Sequence, residues 1–113
     1  MKRAQLPATP AELQTILRDL GTRIARMRLA RALIQADCAI RANLSRETAS
    51  RIERGDPSVA VGQIIRYLDA IAPGMTLETL YTTIDPAVEL LAHEERRKRA
   101  RRLSETELKR HDF

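Results

Sequence analysis

The stretch QADCAIRANLSRETASRIERG, residues 35–55, constrains the fold more than any other part of the chain. Small or apolar side chains recur at Cys38, Ala39, Ala42, Leu44, Ala49 and Ile52. Asn43 stands between the two groups, a residue able to take a left-handed turn. Helical spacing from Gln35 to Ala42 puts Cys38, Ala39 and Ala42 on one face. A second helix, opened by Ser45 and running roughly over Arg46–Arg54, puts Ala49 and Ile52 on one face. Two short helices with facing apolar stripes and a tight turn make a helix-turn-helix, the unit that lays its second helix in a DNA major groove.

Helical spacing continues on both sides. Thr9-Pro10-Ala11-Glu12 reads as a helix start, with Thr9 capping, Pro10 at the first helical position and Glu12 closing a capping box. Leu13, Ile16, Leu17, Leu20, Ile24 and Met27 follow at helical spacing, and the pattern runs on to Leu33. Gly21 lies inside it and leaves one long helix and two shorter ones equally open. After the motif, Gly55 ends the second helix as a left-handed cap and Asp56-Pro57 turns the chain. Val61, Ile64, Ile65, Leu68 and Ile71 form the next stripe, closed by Pro73-Gly74. Thr76 then caps a short helix whose buried side is Leu77, Leu80, Tyr81 and Ile84.

Past Asp85-Pro86 the composition shifts. Val88, Leu90 and Leu91 can anchor a further helix on the core, and EERRKRARRL beyond it is nearly all charge. Glu94–Lys98 and Glu95–Arg99 are pairs spaced to support a solvated helix, and Ser104-Glu105-Thr106-Glu107 suggests a new cap and a last short turn. The expected fold is all-α: a compact bundle of about five helices containing the helix-turn-helix over residues 9–84. A basic C-terminal helical extension follows over residues 85–113.

Charge points to the partner. The chain carries a net +5, and between Arg23 and Arg54 eight arginines stand against only Asp37, Glu47 and Glu53. The planar guanidinium fork suits phosphate and guanine better than an ammonium does. With only Tyr67, Tyr81 and Phe113 as aromatics, the chain lacks the stacking platforms of single-strand binders, so duplex DNA is the preferred polymer. Cys38, the lone cysteine, forms no intramolecular disulfide and serves as a small hydrophobe on the packed face. His93 and His111 lie in the charged tail, away from any ligand set. No metal, cofactor or catalytic role is expected, and no membrane partner. Met1–Thr9 lacks the apolar run of a secretion signal, so a cytoplasmic location is expected.

From LGTRIARMRLARAL through IQADCAIRANLSRETASRIERG to SVAVGQIIRYLDAI, roughly residues 20–72, the chain resembles the Cro/phage-repressor (XRE) family of helix-turn-helix regulators. It departs at Asn43, where glycine is usual, and at Ile34, where Ser or Thr often caps the first motif helix at a gain of about 1 kcal/mol. The resemblance implies that Gln35 donates to a phosphate, and that Ser45, Arg46, Glu47 and Arg51 face the groove. Arg51 or Arg46 would bind guanine and Glu47 would accept from cytosine, with Ser50 on the same edge. Arg54 would reach the backbone just after the recognition helix. Arg28 and Glu53 occupy positions that in this family often form a salt bridge.

These features predict a sequence-specific transcriptional regulator, a small homodimeric repressor on a near-palindromic operator, dimerising through Leu77–Leu91. An alternative is an antitoxin that autoregulates its operon and binds a toxin through the C-terminal region. A third is an adaptor that keeps the fold without binding DNA. Arg96, Arg97, Lys98, Arg99, Arg101 and Arg102 bring six cations within seven residues, to extend the DNA footprint, dock a partner, or simply be solvated.

Overall fold

The helical spacing resolves, in a computed structural model describing residues 9–111, into six helices with no strand among the described residues. They are α1 (Ala11–Ala30), α2 (Gln35–Arg41), α3 (Arg46–Arg54), α4 (Val61–Ile71), α5 (Leu77–Thr82) and α6 (Pro86–His111). The architecture is an all-α bundle with α2 and α3 as its helix-turn-helix. Helix α1 packs on α3, α4 and α6, while α2 packs on α3 and α4.

The first three helices end in the same way. Ala32, Asn43 and Gly55 each adopt positive φ, at 54°, 57° and 77°. In each case the next residue's N–H reaches back to a carbonyl five residues earlier: Leu33 to Arg28, Leu44 to Ala39, and Asp56 to Arg51, at 2.9–3.1 Å. These are Schellman caps, which satisfy carbonyls that a helix end leaves orphaned. Asn43 thus takes the left-handed turn in place of glycine. Ala32 does the same with no chemical hint in the sequence, and it ends α1 at Ala30, short of the pattern's reach to Leu33.

Helix starts are more varied. Ser45 accepts from the Thr48 amide at 3.0 Å, and Thr76 and Thr79 cap each other reciprocally. Ile34 offers α2 no side-chain cap. At α1 the expected capping box is absent: Pro10 is the cap residue and has no side-chain donor or acceptor. Gln14 instead donates to the Thr9 carbonyl at 3.2 Å.

The core joins Ile24 and Met27 to Cys38 and Ala39, Ala49 and Ile52, Tyr67, Leu68 and Ile71, and Leu80. Each fully buried Ile or Leu contributes about 1.5–3 kcal/mol. Small residues at positions 38, 39, 42 and 49 let α2 and α3 approach closely enough to share this core. Three expected stripes are only partly buried. Leu13 and Ile16 are exposed, Ile16 by 59%, because the first turns of α1 run past the elements that cover Ile24 and Met27. In α4 the buried edge is Tyr67, Leu68 and Ile71, flanked by Ile64, while Val61 and Ile65 face outward. In α5 only Leu80 is fully buried; Ile84, just beyond it, is 78% exposed. Tyr81 is half exposed, its ring 4.4 Å beneath the guanidinium of Arg23.

Gly21 does not break α1, which runs as one helix from Ala11 to Ala30. A Cβ there would stand 2.5 Å from the Glu53 carbonyl oxygen, and one at Gly55 would stand 2.6 Å from the Arg18 backbone. The two glycines let α1 and the end of α3 meet backbone to backbone.

Helix α6 lies antiparallel to α1, as two ion pairs fix. Arg31 Nη1 reaches Asp85 Oδ2 at 2.8 Å, and Arg26 forks onto Glu95 at 2.8 and 2.9 Å. Asp85 Oδ1 also accepts from the Ala87 amide, so the carboxylate that caps α6 ties it to the end of α1. Glu95 is thereby taken from its expected partner Arg99, and Glu94 pairs with Arg97 rather than Lys98. From Arg96 to Arg110 every residue is exposed, and the helix passes through Ser104–Glu107 without the expected new start. This projection contributes to a long axis of 65 Å against 32 and 27 Å.

Candidate nucleic-acid interface

Helix α3 presents two opposed faces. Ala49 and Ile52 point into the core, and Arg46, Glu47, Ser50, Arg51 and Arg54 occupy an arc of about 140° on the other side, at about 100° per residue. The four charged residues of that arc are exposed and Ser50 is half-buried. Ser45 caps the N-terminus of the helix and Gly55 closes its C-terminus, so the helix that carries this face is capped at both ends.

Within this face the side chains already engage one another. Glu47 Oε1 lies 3.4 Å from Arg51 Nε and 3.5 Å from Arg54 Nη2. Arg54 donates to Ser50 Oγ at 2.8 Å, and Arg51 also lies 3.9 Å from Asp56. Asp56 is held below the usual carboxylate range, first by hydrogen bonds from the Ser58 hydroxyl and amide and then by the charges of Arg51 and Arg54. Arg46 makes no hydrogen bond or ion pair among the described residues and is exposed, as is Arg41 on the preceding helix. Glu47 therefore pairs with two of the three arginines on this outer face, and Arg46 is the one without an ion pair or hydrogen bond among the described residues.

The placement of α3 depends on a cluster behind it. Arg28 donates from Nε to Glu53 Oε2 at 2.7 Å and from Nη2 to Oε1 at 3.0 Å, while its Nη1 donates to the Leu33 carbonyl at 2.8 Å. Tyr67 completes the cluster by donating its phenol to Glu53 Oε2. Burial, then the hydrogen bond to Glu53, pushes the Tyr67 phenol well above the ordinary tyrosine range. One carboxylate on α3 thus links α1, the α1–α2 turn and α4. Tyr67 is the member that sequence reasoning missed; its spacing with Ile64, Leu68 and Ile71 was the available signal.

The remaining positions are spread out. Gln35 opens α2, half-buried. The cations at 96, 97, 98, 99, 101 and 102 lie on the projecting part of α6, away from the docked segment. Cys38 is buried, and burial raises its thiol pKa, which suits a packing role. A cleft of about 260 Å³ lies between α1, α5 and α6, but its two arginines are committed, Arg23 to Asp19 and Arg26 to Glu95. No group of three metal-ligating side chains occurs among the described residues, and no helix among them is long and apolar enough to cross a membrane.

A seven-residue helix, a left-handed turn and a capped helix with a basic outer edge together define a helix-turn-helix. Residues 19–73 match the family model described as a helix-turn-helix domain. Over that stretch the chain is similar to DNA-binding regulators, which supports DNA as its partner. No curated protein and no solved structure matches the chain.

Proposed function

We propose that the chain is a sequence-specific duplex-DNA-binding repressor of the XRE type, acting in the cytoplasm as a homodimer. The observation that carries this reading is the outer edge of α3, where Arg46, Ser50, Arg51 and Arg54 are exposed or half-exposed while Ala49 and Ile52 anchor the opposite side. Arg46 reads a guanine first, and Arg51 follows once a base or phosphate competes Glu47 away. Gln35 and Arg54 hold the flanking phosphates. Dimerisation through Leu77–Leu91 uses the exposed Tyr81, Ile84 and Leu90, and it sets two recognition helices about 34 Å apart on a near-palindrome. Repression follows from occupying a promoter and requires no chemistry.

The exposed apolar side chains at the α5–α6 junction also favour a second reading, an antitoxin whose partner docks there. Fluorescence anisotropy against the DNA upstream of the protein's own gene, with and without the neighbouring gene product, tests both. Preference for that DNA over a scrambled duplex at physiological salt supports the repressor. A change in affinity with the neighbour supports the antitoxin. Equal affinity for both duplexes sinks specific repression, and no binding leaves an adaptor.

A further inference from the structure

The most strongly charged surface of the molecule takes no part in the recognition edge. Residues 96–110 of α6 hold eight Lys and Arg against Glu105 and Glu107. All are exposed, and of these cations only Arg97 forms an ion pair among the described residues, with Glu94 at 3.0 Å, while the charges of Arg99 and Lys98 act on Glu95. Cations repeat at helical neighbour spacing, Arg97 with Arg101 and Lys98 with Arg102, an arrangement that opposes the helix unless an anion relieves it. This stretch offers no apolar stripe for a protein seam. Leu103 and Leu108, its two large apolar residues, are exposed and five positions apart, about 140° around the helix from one another. A protein interface needs a contiguous apolar centre, whereas a phosphate backbone needs only accessible positive charge.

Direction matters as well. The Arg31–Asp85 and Arg26–Glu95 pairs make α6 antiparallel to α1, so its free half runs toward the N-terminal end of α1. That is the end where Arg18 lies against Gly55, the residue directly after the recognition helix. The basic segment therefore projects beyond the docked part of α6, in the direction of the N-terminal end of α1.

We propose that residues 96–110 form a second duplex-binding element, which engages the phosphate backbone through exposed charge and adds affinity without sequence preference. This rests on the DNA-binding reading above. The test uses the full chain with Arg96, Arg97, Lys98, Arg99, Arg101 and Arg102 all changed to Gln, beside a variant with the five arginines changed to Lys. Affinity for the upstream duplex and for a scrambled duplex is followed across a salt series. Neutralisation is expected to lower the slope of log affinity against log salt by at least about two units, and to weaken both duplexes about tenfold or more at low salt. Their ratio should hold, and the lysine variant should keep the wild-type slope. A neutralised protein with unchanged slope and affinities overturns the proposal and leaves an acidic protein as the partner of this segment. Equal losses in the lysine and glutamine variants overturn it too, because charge would then not be the cause. If the wild-type protein prefers neither duplex but the slope still falls, specific repression fails while the α6 element stands. If it binds neither duplex, both fall.

Discussion

Arg28 grips Glu53 through two parallel N–H···O bonds, and this fork couples α1 to the far end of α3, the second helix of the helix-turn-helix. Both side chains are largely buried, at 14% and 9% exposure, and Tyr67 donates to the same carboxylate. A buried charge held this way is costly to orphan.

Arg28→Ala should therefore destabilise the protein by about 3–5 kcal/mol, a large part of the roughly 5–15 kcal/mol that holds a domain folded. Arg18→Ala removes only an exposed 3.4 Å contact to Gln14 and should lie within about 0.5 kcal/mol of wild type. Urea melts of the two variants check the contrast; equal midpoints would refute the role given to the pair.

Tyr67→Phe keeps the ring packing and loses one hydrogen bond to a charged group, at a cost of about 1.5–3 kcal/mol near neutral pH. The phenol pKa is raised in the folded state, so its stabilisation is fully present below the unfolded value near 10 and is lost as pH rises through the folded value. The stability gap between wild type and Tyr67→Phe should narrow above about pH 10, as chemical denaturation at pH 8 and pH 11 would show.

Two small-residue changes should go against simple helix propensity. Gly21→Ala favours an isolated helix by about 1 kcal/mol, yet here its Cβ meets the Glu53 carbonyl, and a net loss of about 1–3 kcal/mol is expected. Ala32→Gly relieves a left-handed alanine and should gain about 1 kcal/mol. Thermal melts in opposite directions are the expected result.

Glu47→Gln removes the one anion on this face and leaves Arg51 only its 3.9 Å contact with Asp56 and Arg54 only its hydrogen bond to Ser50. Binding to random duplex should tighten several-fold, by about 1 kcal/mol per masked cation at most, while discrimination between duplexes shrinks. Arg46→Ala and Arg51→Ala should weaken the preferred duplex by about 1–3 kcal/mol more than a random one. Anisotropy titrations at one fixed salt concentration separate these effects.

Asp85 is partly desolvated, which raises its pKa, but the hydrogen bonds from Arg31 and the Ala87 amide outweigh this and hold it below the usual carboxylate value. Its contribution is therefore present above the unfolded pKa and is lost as pH falls through the lowered one. Asp85→Asn retains a capping oxygen and loses the charge, so it should cost about 1–2 kcal/mol at pH 7 and converge on wild type as pH falls below about 4. Melts across that range test the sign.

The helix-turn-helix was legible because its evidence is local. Ser45 before Arg46, small residues at 38, 39, 42 and 49, and Gly55 after Arg54 each satisfy a requirement set within a few residues. Ala32 was not legible, because its left-handed turn comes from the cap geometry rather than from its side chain. Nor was the exposure of Ile16 and Ile84, since periodicity marks an apolar face and cannot say whether a neighbour covers it.

Residues 35–55 determined by themselves that two short helices would close on a small-residue face and turn Arg46, Glu47, Ser50, Arg51 and Arg54 outward. Helical spacing is a property of the chain, and it sorts inside from outside without reference to anything distant. Only the tertiary structure decided what grips that unit and which arginine it presents free. Arg28, Glu53 and Tyr67 stand 14 to 39 positions apart, and Arg26 meets Glu95 across 69. Burial sets the strength of the first contact and the antiparallel docking of α6 sets the second, and both exist only after the helices have packed.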